Sequence, residues 1–179
     1  MRRTVSCLVV AAVASFGLVS TNSAASASTP STEGERSKGK ARVVIAPAMV
    51  KKLNRSNIAV KTIKPAKSRK FKGHPAAVFP VAKRKKRVVQ LRGGLFFDKN
   101  RKHAKVSRLR GNYKTGRVTG LINGTKRKAV FNTRKSKRPK LGNIRLVLTR
   151  YSAGSMNATF NTKRFDRGDT FGYAKVRRR

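Results

Sequence analysis

Short apolar runs, broken roughly every ten residues by a glycine or a basic turn, leave this chain little choice but strands. The pattern is clearest from Val88 to Phe131. Val88, Val89 and Leu91, then Leu95, Phe96 and Phe97, flank Gly93-Gly94. Asp98-Lys99-Asn100 reads as a turn and Val106 with Leu109 as the next strand. Lys114-Thr115-Gly116 is a second turn before Val118, Gly120 and Ile122. Asn123-Gly124 sits between Leu121-Ile122 and a strand reaching Phe131. Both residues tolerate positive φ, so the pair is a type I′ hairpin signal. Many short strands at this spacing predict a mainly β fold, an antiparallel β-sandwich or open barrel.

Two short helices are expected at its ends. Ile144, Leu146 and Leu148 alternate as a half-buried strand. Thr149 follows as a helix N-cap, and Ala153, Met156 and Phe160 make one apolar stripe. Gly168-Asp169 and Gly172 punctuate the return, and Phe171, Tyr173 and Val176 form a closing strand that runs into the basic tail. The amino-terminal counterpart opens with a strand over residues 43–45. Pro47 suits the first turn of a helix, and Met49, Val50 and Leu53 give residues 46–55 one face for a core. Ile58, Val60 and Ile63 then read as a strand ending at Pro65. Aligned without gaps, residues 43–54 and 146–157 both run strand, short helix, then Leu-Asn or Met-Asn. They read as an internal strand–helix–strand repeat. In between, residues 67–75 are expected to be a basic loop, and Ala77-Val78-Phe79 leads into Pro80.

Residues 1–28 have the make-up of a secretory signal peptide. Arg2-Arg3 precede an apolar run from Val5 to Val19, and small residues at Ala25 or Ala27 offer a cleavage site. The run is short for a membrane anchor, and no further twin-arginine feature accompanies Arg2-Arg3, which favours Sec export. Residues 29–40 are polar and turn-rich, a flexible linker. Residues 41–179 then form a single β-rich domain with a basic tail. The expected location is secreted, either extracellular or associated with the cell wall. Cys7 lies inside the signal, so the mature chain has no thiol for a disulfide, a metal or a nucleophile.

Charge narrows the function more than any motif. Lys and Arg number 46 against five acids, a formal net charge of +41. Only Arg2 and Arg3 precede Arg36, and Glu33 and Glu35 lie in the linker. The domain is left with Asp98, Asp166 and Asp169 as its carboxylate side chains. Internal salt bridges cannot neutralise such a surplus, so anions from outside are called for. The clusters fall at Lys83, Arg84, Lys85, Lys86 and Arg87, and again at Lys126, Arg127 and Lys128. Two more follow at Arg134, Lys135, Lys137, Arg138 and Lys140, and at Arg177, Arg178 and Arg179. All are expected in loops, turns or the tail, where a phosphate-bearing polymer would release condensed counterions on contact. Phe71 and Tyr113, each flanked by cations, offer faces for stacking on bases. Without a recognition motif, contact independent of sequence is expected. For an exported protein the partners are teichoic-type wall polymers, nucleic acid or an anionic lipid surface.

The same inventory argues against an enzyme. Asp166 and Asp169 flank Gly168 as turn residues. His74 and His103 sit in lysine-rich segments without a nucleophile elbow. Two separated histidines among cations do not make a divalent-metal site, and no Gly-rich phosphate loop is present. The expectation is a non-enzymatic binding protein without a cofactor.

The string G-G-L-F-F (93–97), Asn123-Gly124, I-R-L-V-L-T (144–149), M-N-A-T-F (156–160) and F-D-R-G-D-T-F-G-Y-A-K-V (165–176) together resemble the HtaA domain of secreted actinobacterial proteins. The resemblance spans most of residues 43–176 and implies an exported, β-rich domain. In several members such a domain binds haem through a tyrosine assisted by histidine, so the alternative function is a haem-uptake module. This chain lacks the aromatic segment that carries the haem tyrosine in the family. Where the family has its histidine after the G-G-L-F-F strand, this chain reads Asp98-Lys99-Asn100, and His103 is out of register. The residues of iron-ligating type are Tyr113, His103, Tyr151 and Met156.

Overall fold

Backbone pairing in one antiparallel sheet organises this molecule. The computed structural model describes residues 39–177. The expected signal, the linker up to residue 38, and Arg178 and Arg179 lie outside the described residues. Along the chain come β1 (Lys40–Ile45), α1 (Pro47–Arg55), β2 (Ala59–Ile63), β3 (Lys67–Phe71), β4 (His74–Lys85) and β5 (Val88–Leu91). There follow β6 (Gly94–Lys99), β7 (Lys102–Asn112), β8 (Arg117–Ile122), β9 (Lys126–Lys135), β10 (Ile144–Leu148), α2 (Arg150–Phe160) and β11 (Thr170–Arg177).

The ring runs β1-β4-β5-β7-β8-β9-β10-β11 and back to β1. It is a closed barrel. The expected mainly β, antiparallel fold with two short helices is present, and its barrel is closed because β8 pairs with β7 as well as with β9. Closure removes the free edges that an open sheet would expose. Three strands lie outside the ring: β6 on β7, β2 on β6, and β3 on β4. Strand β7 is shared. Its residues 102–107 pair with β6 and its residues 110–112 with β5, while β8 occupies the opposite edge.

Aromatic rings fill the interior. Phe171 stacks on Phe131 at 4.7 Å and meets Phe97 edge-on at 6.2 Å. Phe79, Phe160 and Phe165 are fully buried beside them. Each such side chain contributes about 1.5–3 kcal/mol by burial. A small apolar cavity of about 70 Å³ remains among Phe79, Val89, Leu109, Phe131 and Phe171.

Several sequence expectations are met in detail. Asn123 and Gly124 take φ of 49° and 82°, and the Thr125 N–H donates to the Ile122 carbonyl at 3.0 Å. Thr149 caps α2 by accepting from the Ser152 N–H at 3.1 Å. Its hydroxyl donates to Ala129 O at 2.7 Å, and Ser152 Oγ to Val130 O at 2.6 Å, so the cap ties the helix to β9. On α1, Met49 and Leu53 are buried.

Two expectations, the basic loop and the internal repeat, are corrected. Residues 67–75 are not a loop but most of the β3–β4 hairpin, turning at Lys72 and Gly73 with φ of 50° and 76°. Only Phe71 of β3 is partly covered, so the strand shows no apolar alternation. Strand β4 also continues through Pro80. There the first residue of β1, Lys40, is its partner, and from Val81 onward, across a bulge between Val81 and Lys83, the partner is β5. A residue without an N–H is tolerated at such a hand-over. The repeat holds as element order only: β10 pairs directly with β11, whereas β1 pairs with β4 and β11, and β2 with β6.

Candidate anion-binding surface

Acid placement decides where positive charge is left over. Asp98 faces Lys61 at 3.5 Å, and Lys52 on α1 reaches Asp169 at 2.6 Å and Asp166 at 3.3 Å. Burial alone would lower the Lys52 pKa. Hydrogen bonds from its ammonium to Asp169 and Asp166, with the two negative charges, outweigh that and hold it above the ordinary lysine value. Every aspartate of the domain is therefore engaged with a lysine. Among the described residues no carboxylate side chain is left for the other cations.

Sheet register then brings like charges together. On the outer face Lys40 lies opposite Arg177 and Arg42 opposite Lys175, across β1 and β11. Arg145 lies opposite Arg134 across β10 and β9. Directly opposed like charges destabilise a sheet. Arg42 stacks on the Phe71 ring, 3.3 Å from its centroid. Burial, with repulsion from Arg177 added, holds its guanidinium below the ordinary arginine pKa. The Nε atoms of Arg42 and Arg145 are buried without a hydrogen-bond partner. This surface lacks its counter-charge.

The sequence-predicted clusters are solvent-exposed throughout the described residues. Their setting differs from expectation. Lys83, Arg84 and Lys85 end β4, Lys126, Arg127 and Lys128 open β9, and Arg134 and Lys135 close it. Only Lys86, Arg87, Lys137, Arg138 and Lys140 lie in connections, and Arg177 ends β11. Ladder hydrogen bonds belong to the backbone, so a strand on the solvated outside of a barrel carries cations as readily as a loop does. One face of Phe71 is taken by Arg42, whereas Tyr113 is exposed.

Register also assembles a cluster that no sequence run announces. Arg108 and Arg110 of β7, Arg127 of β9 and Arg92 from the β5–β6 turn line one concavity of about 510 Å³. Three of the four belong to no cluster read from the sequence. The bulge in β7 and the turn at Gly93 bring them together, and neither is a compositional signal.

The residues of iron-ligating type do not share a site. Tyr151 and Met156 line a cleft of about 30 Å³, and Tyr113 lines the barrel cavity and a separate groove. His103 lies on the β6–β7 hairpin, stacked on Phe96 at 5.7 Å. Met156 is a buried member of the core cluster, and Lys128 Nζ sits 5.8 Å from the centre of the Tyr151 ring. The Tyr151–Met156 cleft falls far below the roughly 300 Å³ from which clefts enclose an organic ligand, and the Tyr113 groove, about 430 Å³, is lined by none of the other three. These four side chains do not fit a porphyrin as a set.

No family model matches the chain and no curated protein matches it. Among solved structures it is similar to the haem-binding protein HtaB from Corynebacterium glutamicum, at 8% identity and a TM-score of 0.46. The match covers 78% of this chain and 93% of that one.

Proposed function

We propose that this protein is an exported, non-enzymatic binding protein that holds anionic polymers through the outside of its barrel. One observation carries the reading: register sets Lys40 against Arg177, Arg42 against Lys175 and Arg134 against Arg145, while all three aspartates are engaged elsewhere. A polyanion laid across these pairs replaces repulsion by attraction and releases its own counterions. The exposed clusters on β4 and β9 extend the contact, without preference for monomer sequence. Teichoic-type wall polymers, nucleic acid and anionic lipid surfaces share this chemistry.

Retention on heparin or phosphocellulose is the direct test. Binding at physiological salt with elution only at high salt is expected, and free flow would eliminate the reading. The alternative, a haem-uptake module, has its own test in a haemin titration. A Soret band weakened by Tyr113→Phe, Tyr151→Phe or His103→Ala would establish it in place of the first.

A further inference from the structure

Polyanion binding through a broad face needs no discrete site, yet the concavity around Arg108 has the construction of one. Strand β7 changes partner here. Its pairing shifts register between Ser107 and Arg110, and the bulged Arg108 is held at φ 46°. A left-handed backbone at a residue other than glycine costs free energy and persists only where its surroundings enforce it. Bulges of this kind re-aim side chains.

The surroundings are specific. The Arg108 N–H donates to the Gly93 carbonyl at 3.1 Å. Gly93 takes φ 81°, and a Cβ there would lie 2.5 Å from Ile63 O and 2.7 Å from Ala66 N, so the turn accepts glycine only. The Arg108 carbonyl accepts from Arg127 Nη1 at 3.0 Å, and the same nitrogen donates to Thr119 Oγ1 at 3.3 Å. Thr119 Oγ1 in turn donates to the Arg110 carbonyl at 3.5 Å. One terminal nitrogen of Arg127 is thereby fixed to the sheet, leaving its other donors free to face a ligand. Among the described residues, none of Arg108, Arg110 and Arg127 pairs with a carboxylate.

We infer that this arginine fork is a discrete site for a phosphate group carrying more than one negative charge, a phosphomonoester or a pyrophosphate-type group. The inference rests on the polyanion reading and adds to that surface a discrete site that favours a terminal or free phosphate over the diester links of such a polymer. Three guanidinium groups present planar pairs of donors that match phosphate oxygens two at a time. A singly charged diester would leave most of that charge unanswered. The volume of about 510 Å³ exceeds one phosphate. Gln90 and Leu91 on its wall give an attached organic group or second phosphate both a polar and an apolar contact.

The test is calorimetric titration of the full-length protein with inorganic pyrophosphate in physiological salt. A single saturable site is expected, weakened about tenfold or more by Arg110→Gln, since a hydrogen bond to a charged group is of that strength. Arg108→Gly is the sharper variant. It should raise the melting temperature by relieving the backbone while weakening pyrophosphate, a combination that a merely structural arginine would not give. The control Lys51→Ser/Arg55→Ser, on the exposed side of α1, removes charge elsewhere and should change pyrophosphate affinity by less than about threefold, because screening is strong at this salt. Equal losses from fork and control variants, or no saturable binding while heparin is still retained, would overturn the fork and leave the polyanion reading standing. Loss of heparin and pyrophosphate binding together would remove both. With pyrophosphate bound as expected, vesicles containing phosphatidate compared with phosphatidylglycerol separate the natural sources. A preference for phosphatidate that Arg110→Gln abolishes assigns a lipid headgroup, and equal adherence assigns a soluble or polymer-borne phosphate.

Discussion

The corner beneath α1 and the outer face of β9, β10, β11 and β1 treat charge in opposite ways. In the corner one lysine meets two aspartates, and Asp169 Oδ2 accepts from the Asp166 N–H at 2.9 Å as well as from Lys52. The Asp169 carbonyl also accepts from the Leu148 N–H at 2.8 Å, which ties the turn to β10. On the outer face, by contrast, arginine opposes arginine or lysine and two guanidinium nitrogens are buried without partners. The difference teaches that two of the three aspartates, Asp166 and Asp169, sit where the chain must fix a turn against a helix. None of the three lies on the outer face of β9, β10, β11 and β1. Repulsion on that face is a cost of folding for which the described residues offer no free carboxylate side chain.

Four measurements break or sharpen this contrast. Raising salt from about 50 to 200 mM should lower affinity for a long polyanion about a thousandfold, if six or more cations make contact. A flat salt response would place binding away from the outer face. Next, Asp169→Ala should destabilise the fold by about 1–3 kcal/mol, because it leaves Lys52 and the Asp166 N–H short of an acceptor. Its heparin elution should stay where it was, and thermal melts with a salt gradient check both halves.

The reverse holds for Arg134→Ser/Arg145→Ser. Stability at low salt should be unchanged or higher by up to about 1 kcal/mol, while the slope of affinity against salt falls by about two. A clear loss of stability in that variant would mean that the outer face is structural after all. Alkaline titration gives the smallest effect. Lys52 has a raised pKa when folded, so its contribution is fully present below the unfolded lysine pKa and is lost as pH rises through the folded value. Melts above that range should show a drop that Asp169→Ala reduces.

Local chemistry made some of this molecule readable. Asn123-Gly124 and Thr149 act through their own backbone needs, so the sequence names them directly. Met49 and Leu53 lie on one face of α1 as their spacing requires. What escaped depends on pairing across the chain. Nothing in residues 67–71 alternates, yet β3 forms because Lys67 finds Val78 and Phe71 finds His74 across the hairpin. Barrel closure by β7 and β8 follows from a bulge at Arg108, where no glycine or proline marks it. The basic clusters were legible as charge, but their like-charged partners were not. Arg134 meets Arg145 only once β9 and β10 are in register. The arginine fork is the extreme case, drawing its cations from β7 and from β9, strands that are not neighbours in the sheet.

The opposed cations on the outer face make dissolved ions part of the folded object. At matched ionic strength, replacing chloride by tripolyphosphate should raise the melting temperature, and raise it more than in the Arg134→Ser/Arg145→Ser variant. A thermal melt of this protein would then act as a gauge of valence in its medium, and its durability would follow the company it keeps.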